Sequence, residues 1–308
     1  MADVSVVIPA RDAEGSLGLT IDALQRQQLD GEIEVIVVDN GSLDGTAMLA
    51  EARGVHVLRR TRGEGPGAAR NDGAAAAGAD VIAFTDADCE PSPHWLAAAM
   101  GALDHGADLV LGPVAPVRTP APLERTVQIT ELTGLFETAN LVVRSATFER
   151  AGGFPAGLEP REGAPFGEDV LFGWTAVRDG ARVAFCPEAL VLHAVQPRGT
   201  REFLAERRRL GLFPLLAREV PELRRSFLHR RWFLNRRTAR FDLATAGVLG
   251  ALGLRRAWPL LALLPYASVV REDARTSGRR AAAVRIAADG AAAAALARGS
   301  AASRSLVI

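Results

Sequence analysis

The stretch that decides the fold reads VIAFTDAD and spans residues 81–88. Its β-branched and aromatic run predicts a buried strand, Val81–Thr85, and two carboxylates follow that strand directly. Asp86 and Asp88 can present hard oxygen ligands to one Mg²⁺ or Mn²⁺ ion. An ion held in this way can neutralise a diphosphate and stabilise it as a leaving group. A solvated Asp-x-Asp turn is the competing interpretation of the pair alone.

Strands and helices alternate around this stretch over the first 113 residues. The predicted strands are Val4–Pro9, Val35–Asp39, Val55–Arg59, Val81–Thr85 and Leu109–Pro113, and the helices between them are 16–28, 44–53, 68–77 and 94–103. This alternation predicts an α/β fold with a mostly parallel, Rossmann-like sheet flanked by helices. Ligands of such sheets bind outside the carboxyl ends of the strands, so polar residues at those ends are candidate site residues.

The pattern becomes less regular after residue 113. Helices are predicted at 122–135 and 166–179, and strands at 139–144, 182–185 and 190–193. The second strand of the first half ends in DNGS, where Asp39 could accept hydrogen bonds from a nucleobase or a ribose. A plain Asn-Gly turn fits the same residues equally well, and both interpretations stay open.

Four segments in the same order and spacing resemble family 2 glycosyltransferases of the GT-A fold. They are Val6–Arg11, Val37–Thr46, Gly67–Gly73 and Asp86–Asp88. The similarity continues through the acceptor-side segments Ala139–Arg144 and Gly152–Phe154 and an acidic motif at Gly167–Asp169, and it ends near residue 200. The chain lacks the Gln-x-x-Arg-Trp segment of processive members, which favours the non-processive type and transfer of a single sugar. The family resemblance implies that transfer inverts the anomeric centre.

The resemblance implies a role for each matching residue. It assigns nucleotide-sugar binding to Pro9, Ala10, Arg11, Asp39, Asn40, Gly67, Arg70 and Asp86. It assigns the metal, Mn²⁺ or Mg²⁺, to Asp86, Asp88 and His193. Asp169 resembles the general base that deprotonates the acceptor hydroxyl, and Glu168 is the alternative base. Asn140 and Glu168 are its candidate acceptor-binding residues. Trp174 is predicted to be either a core aromatic or a wall of the acceptor site.

Ordinary structural roles compete with some of these assignments. Glu168 and Asp169 also fit the acidic first turn that many helices carry. His193, taken alone, fits a satisfied buried histidine better than a ligand. Cys89, next to the strand-end aspartates, is predicted to be a small packing residue.

Charge divides the chain into an acidic and a basic part. Residues 1–200 hold 15 arginines against 28 acidic residues, and residues 201–240 hold 12 arginines against 4. We therefore predict a catalytic domain at 1–200, with a nucleotide-sugar-binding half at 1–113 and an acceptor-binding half at 114–200. A basic helical segment at 201–240 and an apolar, Ala-rich extension at 241–308 follow.

Arginine pairs alternate with Phe and Trp at 224–237. This pattern predicts that the C-terminal part contacts an anionic membrane surface. The apolar runs Leu243–Leu254 and Pro259–Val270 are shorter than the roughly 20 residues of a spanning helix, so shallow insertion is expected. Packing as ordinary helices is the alternative. The Ala-rich residues 281–303 are either a loosely attached helix or disordered. We expect a bacterial protein on the inner face of the cell membrane, with no nucleic-acid partner.

These observations together predict an enzyme that moves one sugar from a nucleotide-diphosphate sugar, by resemblance a UDP-sugar, to a hydroxyl of a cytoplasmic or lipid-linked acceptor. A nucleotidyl- or phosphosugar transferase and a non-catalytic nucleotide-sugar-binding module are the alternatives. A nucleotidyl- or phosphosugar transferase usually needs a basic residue in an early glycine-rich loop, and Gly63–Gly67 has none. A non-catalytic module is expected to have lost the Asp86/Asp88 pair or the Glu168/Asp169 pair, and both pairs are present. No GxGxxG motif follows the first strand, which disfavours a dinucleotide-binding dehydrogenase.

Overall fold

The computed structural model describes residues 2–61, 63–158 and 165–308. The chain divides into two compact units. The N-terminal unit holds residues 1–119 and 126–195, and the C-terminal unit holds residues 120–125 and 196–308. The short segment 120–125 therefore belongs with the C-terminal residues, although it lies well inside the stretch that resembles the family.

The N-terminal unit combines β-sheets with helices. Its strands are β1 Val4–Ala10, β2 Ile33–Asp39, β3 His56–Arg59, β4 Val81–Phe84, β5 Cys89–Pro91, β6 Leu109–Leu111, β7 Val114–Pro116, β8 Leu141–Arg144, β9 Val183–Phe185 and β10 Val191–His193. Its helices are α1 Leu17–Gln25, α2 Thr46–Ala52, α3 Pro66–Ala76, α4 Trp95–Asp104, α5 Ser145–Arg150 and α6 Glu168–Arg178. The α/β fold predicted from the sequence is confirmed.

The main sheet has seven strands in the order β3-β2-β1-β4-β8-β6-β9. Its strands pair in parallel, except that β8 runs antiparallel to β4 and β6. Strands of this kind are buried on both faces. In β1, Val6 and Ile8 pack into one core and Val7 packs into the other, all of them fully buried. The carboxyl ends of β1, β2 and β4 consequently meet at one edge.

A second sheet has three strands in the order β5-β10-β7. Strand β5 starts directly after Asp88 and runs antiparallel to β10, with Cys89 opposite His193. The sequence analysis did not predict β5, because Cys-Glu-Pro has little β propensity. This pairing brings His193, which comes from a distant part of the sequence, to the end of the Asp-x-Asp segment.

The helix predicted at 122–135 is wrong. The backbone of Ile129 instead exchanges two hydrogen bonds with Val114, at 2.9 and 3.0 Å. A peptide group paired with another strand cannot also serve the ladder of a helix.

The C-terminal unit is helical. It contains α7 Thr200–Glu206, α8 Phe213–Glu219, α9 Leu223–Ser226, α10 Arg236–Leu254, α11 Leu264–Ser277 and α12 Arg279–Ser303, with 3₁₀ turns at Arg207–Leu212 and Trp258–Leu263. Its core is built from Ala217, Leu228, Leu234, Leu296 and Val307. Residues 281–303, expected as a helix or as disordered, lie within α12. Among the described residues, no helix has both the length and the apolar character needed to cross a bilayer.

Candidate functional site

Two loops at the carboxyl edge of the main sheet hold each other in place. The Asp12 N–H donates to Ser42 Oγ at 3.0 Å, and the Leu43 N–H donates to Asp12 Oδ1 at 2.8 Å. The Gly45 N–H donates to Glu14 Oε2 at 3.0 Å. The loops after β1 and β2 are thereby tied together, so the side chains that follow both strands share one rim.

A cleft of about 850 Å³ opens at this rim, within the size range of small-molecule sites. Six residues predicted from the sequence line it: Pro9, Ala10, Arg11, Asn40, Gly67 and Glu168. The first turn of α3 also lines the cleft, and a helix N-terminus favours anionic groups such as phosphate. Gly67 permits the close approach of α3 to α6, because a Cβ there would lie 3.0 Å from Glu168 Cγ.

Asn40 offers an unmatched acceptor beside this cleft. Its Nδ2 donates to Gly65 O at 3.2 Å, but its buried Oδ1 has no hydrogen-bond partner among the described residues. An unpaired buried acceptor costs about 1–3 kcal/mol, so an N–H from a ligand would be stabilising here. Asp39 is buried too, but its Oδ1 accepts the Ser42 N–H at 2.9 Å. It is not among the described residues that line the cleft.

Asp86, Asp88 and His193 form a group that fits a divalent cation. One ligand atom from each of them, together with Cys89 Sγ, lies within 4.8 Å of the others. His193 Nε2 lies 3.6 Å from Asp88 Oδ1, and His193 Nδ1 lies 2.7 Å from Ala194 O. With Nδ1 donating to that carbonyl, the neutral ring presents the lone pair of Nε2 to the aspartates, as metal-binding histidines do.

Cys89 is a neighbour of this cation group rather than a ligand. Its side chain is fully buried in the core, which confirms the predicted packing role. Burial, assisted by the charge of Asp86, raises the pKa of the Cys89 thiol well above its usual value. Sulfur is also a soft ligand, whereas Mg²⁺ and Mn²⁺ prefer oxygen ligands. Two carboxylates and one imidazole suit Mg²⁺ or Mn²⁺ better than a soft metal.

Arg70 connects the cation group to the acidic start of α6. The residue is buried, and its Nη2 donates to Asp86 Oδ1 at 2.6 Å. Its positive charge also acts on the carboxyl group of Asp169. Its Nε is buried without a hydrogen-bond partner among the described residues, so one more N–H is available to a ligand. The structure thus brings Arg70, Asp86 and Asp169 together.

Asp169 has the properties of a proton acceptor near neutral pH. It lies in the first turn of α6 and keeps part of its surface exposed. Burial of its carboxyl group and the charge of Glu168 raise the pKa of Asp169 to about 7, against the lowering effects of the Val170 N–H and Arg70. A base is most effective when its pKa lies near the working pH. Glu168 differs in position, since it is buried and lines the cleft.

Glu137 is a site residue that the sequence analysis missed. Burial raises the pKa of the Glu137 carboxyl group, and the charge of Glu137 is one of those that act on Asp169. The charges of Glu137 and Glu168 therefore both act on Asp169, and the charge of Arg70 acts in the opposite sense. Such a group of coupled carboxylates is typical of sites that move protons.

The backbone on both sides of Glu137 is held firmly. Phe136 has a φ of +55°, in the left-handed region, and its ring is buried. The Phe136 ring packs against α6 at Gly173. A Cβ at that glycine would lie only 2.1 Å from the ring, so no larger residue fits there. On the other side, Thr85 Oγ1 donates to Ala139 O at 3.0 Å. Strain of this kind persists only when the surroundings enforce it, and here it fixes the position of Glu137.

Asn140 and Trp174, both candidates for the acceptor site, are engaged within the protein. Asn140 is buried, its Oδ1 accepts the Trp95 Nε1–H at 2.8 Å, and its Nδ2 donates to two backbone carbonyls at 3.0 and 2.7 Å. Asn140 is therefore not available to an acceptor, which corrects its assignment. Trp174 Nε1 donates to Gly134 O at 2.9 Å, but its ring is only partly buried and can still form a wall.

Most of the N-terminal unit resembles known glycosyltransferases in sequence. Residues 5–157 match the model of the family described as glycosyl transferase family 2. The chain is 30% identical over 214 residues to the pre-mycofactocin glycosyltransferase of Mycobacterium tuberculosis, covering 62% of this chain and 42% of that protein. It is 29% identical over 225 residues to glycosyltransferase AglE of Haloferax volcanii, covering 68% and 71%. The chain thus spans less than half the length of the first relative.

Two solved structures show a similar fold. Mannosyltransferase PcManGT from Pyrobaculum calidifontis, in complex with GDP-Man and Mn²⁺, gives a TM-score of 0.61 at 20% identity, over 97% of this chain and 87% of that one. S. aureus TarS 1–349, in complex with UDP-GlcNAc, gives 0.56 at 19% identity, over 98% and 92%. At these identities the likeness concerns the fold alone, and the GT-A fold predicted from the sequence is confirmed.

Proposed function

The chain belongs to glycosyl transferase family 2 through the domain at residues 5–157, and we propose that it moves one sugar from a nucleotide-diphosphate sugar to an acceptor hydroxyl with inversion. The observation that carries the proposal is the position of Arg70, which bonds to Asp86 and acts on Asp169. Departure of a diphosphate and deprotonation of an acceptor require groups of these two kinds near one reacting carbon.

The donor would occupy the cleft beside the loops that follow β1 and β2. Asn40 Oδ1 would accept an N–H of the base, and the first turn of α3 would face the phosphates. The solved relatives hold GDP-Man and UDP-GlcNAc respectively. We favour a UDP-sugar on the strength of the sequence motifs.

In the proposed reaction the acceptor oxygen forms a bond to the anomeric carbon while the bond from that carbon to the diphosphate oxygen breaks. The proton of the acceptor hydroxyl passes to the Asp169 carboxylate, and the nucleoside diphosphate leaves. Glu168, on the cleft side, would bind hydroxyl groups of the sugars, with the Trp174 ring as an apolar wall. A Mn²⁺ or Mg²⁺ ion held by Asp86, Asp88 and His193 would neutralise charge on the departing diphosphate.

A donor screen tests this proposal. The full chain is mixed with Mn²⁺ and each of a set of UDP- and GDP-sugars, and both the melting temperature and slow donor hydrolysis are measured. We expect at least one donor to raise the melting temperature and to be hydrolysed only when the metal is present, because a bound ligand stabilises the folded state. If no nucleotide sugar shows a metal-dependent effect, the proposed function is wrong.

Glu137→Gln is expected to shift the pH dependence of transfer to lower pH. Removal of this negative charge favours the ionised form of Asp169, so the rate reaches half of its plateau at a lower pH than in the parent. A pH–rate profile measures the shift, and Glu131→Gln, at an exposed position, is the matched control. A lower rate at every pH with an unchanged midpoint would mean that Glu137 has only a structural role.

We also propose that residues 201–270 rest on an anionic membrane, on the inner face of the cell membrane, where a lipid-linked acceptor would be found. Large apolar side chains are exposed around the turn between α10 and α11: Leu249, Leu252, Leu254, Trp258, Leu261 and Leu264. Arg255 and Arg256, also exposed, lie among them. Apolar side chains mixed with arginines are typical of surfaces that bind the bilayer interface.

Replacing both Leu252 and Leu261 by Ser is expected to weaken binding of the full chain to phosphatidylglycerol vesicles by about 10- to 100-fold or more. Each leucine contributes up to about 1.5–3 kcal/mol when it is transferred out of water. Cosedimentation measures the change, and Leu43→Ser, a leucine of the N-terminal unit that is 95% exposed, is the matched control. A double variant that sediments like the parent would remove this surface from the proposal.

A further inference from the structure

The C-terminal unit contains a second pocket, which we call the Arg207 pocket. Its volume is about 480 Å³, and residues from the 3₁₀ turn at 207–212, α10 and α12 line it. One wall is apolar, since Phe213 and Phe227 stack there with their ring centroids 5.6 Å apart. No described residue of the site in the N-terminal unit lies in this unit.

Arg207 is a half-buried cation that has no described carboxylate within ion-pairing distance. Its guanidinium lies 4.4 Å from the centroid of the Phe203 ring, and its Nε is buried with no hydrogen-bond partner there. Burial and the charge of Arg198 lower the pKa of Arg207, and the charges of Glu206 and Asp289 act in the opposite sense. Charges taken out of water are normally paired, so this one gains from an anion that enters the pocket.

The neighbouring Arg198 provides a comparison. Its guanidinium also packs on the Phe203 ring, 4.7 Å from the centroid. Arg198 is matched, however, because its Nη1 donates to Glu206 Oε2 and its Nε donates to Leu123 O at 2.9 Å. Two guanidinium groups thus pack on one aromatic ring. Arg207, which lines the pocket, is the one of the two that makes no ion pair with a described carboxylate.

Arg237 and Arg285 also line the pocket, and both already form ion pairs with aspartates. Both donate through Nη1 to Asp273, at 2.7 and 2.5 Å, and Arg237 Nε donates to Asp289 Oδ1 at 2.8 Å. Arg237 Nη2 lies 2.8 Å from Asp289 Oδ2 but is not aligned for a hydrogen bond. Among the described residues that line the pocket, Arg207 is thus the arginine that makes no ion pair, and Arg207 Nε and Arg237 Nη2 are N–H groups without a hydrogen-bond partner.

We propose that the Arg207 pocket binds the phosphate group of a phosphate ester. A guanidinium presents two N–H groups in the geometry of an oxyanion, and a tetrahedral phosphate can accept N–H groups from several directions. A carboxylate has only two oxygens, so it can accept N–H groups from fewer directions than a phosphate. The stacked Phe213 and Phe227 would contact an apolar chain attached to the phosphate. The proposal does not depend on sugar transfer.

Isothermal titration calorimetry on the full chain tests this proposal with decyl phosphate, inorganic phosphate and decanol. We expect decyl phosphate to bind and Arg207→Gln to weaken that binding by about 10-fold or more, since the variant loses charge-assisted hydrogen bonds to the phosphate. Arg208→Gln, at an exposed position in the same turn, is the matched control and should bind like the parent. Decanol, which has no charge, should not respond to Arg207→Gln.

The remaining outcomes identify the source of the phosphate or overturn the proposal. Tighter binding of decyl phosphate than of inorganic phosphate, with both dependent on Arg207, indicates a lipid-borne phosphate, and equal affinity indicates a soluble one. Arg207→Lys keeps the charge but loses the paired N–H groups, so it should bind several-fold more weakly than the parent, and it replaces Arg207→Gln if that variant does not fold. Absence of binding by both phosphates, or equal binding by parent and Arg207 variants, overturns the proposal.

Discussion

Asp169→Asn is expected to lower the rate of sugar transfer by about 10²- to 10⁴-fold, the usual contribution of a general base. Asparagine keeps the size and shape of the side chain but cannot accept a proton from the acceptor hydroxyl. Donor affinity should stay within about twofold of the parent, because the base meets the acceptor rather than the nucleotide. Single-turnover transfer and donor titration measure the two quantities separately. An equal loss of donor binding and transfer would contradict the assignment of Asp169 as the base.

The pH dependence of the parent provides a second readout of Asp169. Its pKa is raised to about 7, so the rate should rise with pH through that value as the carboxyl group ionises. Stability should change in the opposite sense. An acid whose pKa is higher in the folded state than in the unfolded state loses stability as the pH rises from about 4 to 7. Asp169→Asn should therefore raise the melting temperature more at pH 8 than at pH 5.

Asp88→Asn is expected to reduce metal-dependent donor hydrolysis by at least about 100-fold. A bound divalent cation contributes several kcal/mol to stabilising a charged leaving group, and every 1.36 kcal/mol corresponds to about tenfold in rate. Loss of one carboxylate from the group formed with Asp86 and His193 weakens the affinity for the ion as well. A Mn²⁺ titration of donor hydrolysis measures both changes.

The matched control for Asp88→Asn is Asp104→Asn. Asp104 is exposed at the end of α4, and the substitution makes the same chemical change outside the site. It should leave the Mn²⁺ response unchanged. If Asp88→Asn gives the Mn²⁺ titration of the parent, the metal assignment is wrong, whatever happens to the absolute rate.

The main sheet could be predicted from the sequence because its signals are local. Apolar runs such as Val4–Pro9 and Val81–Thr85 are long enough to identify a buried strand without any knowledge of its partners. Strand β5 could not be predicted in this way, since Cys89–Pro91 becomes a strand only by pairing with β10. The helix expected at 122–135 failed for the same reason, because Ile129 pairs with a residue that the local pattern does not reveal.

The site shows the same division between local and non-local information. Asp86, Asp88 and Asp169 belong to short motifs, and the structure brings all three into one region. Asn140 was misassigned because a motif does not show whether an amide is buried and bonded. Glu137 was missed because its position depends on the φ of Phe136 and on a ring packed across α6. Its only signal in the sequence is an acidic residue directly before Thr138-Ala139-Asn140.

The pairing of β5 with β10 has a consequence for biosynthesis. His193 leaves the ribosome about 100 residues after Asp88, which takes on the order of 5–20 s at elongation rates of about 5–20 residues per second. Until then a nascent chain can display both aspartates but not His193, the third ligand that we propose. We therefore expect tight cation capture to begin only when β10 docks, so that metal uptake coincides with completion of the N-terminal unit and partly made chains compete poorly for the ion.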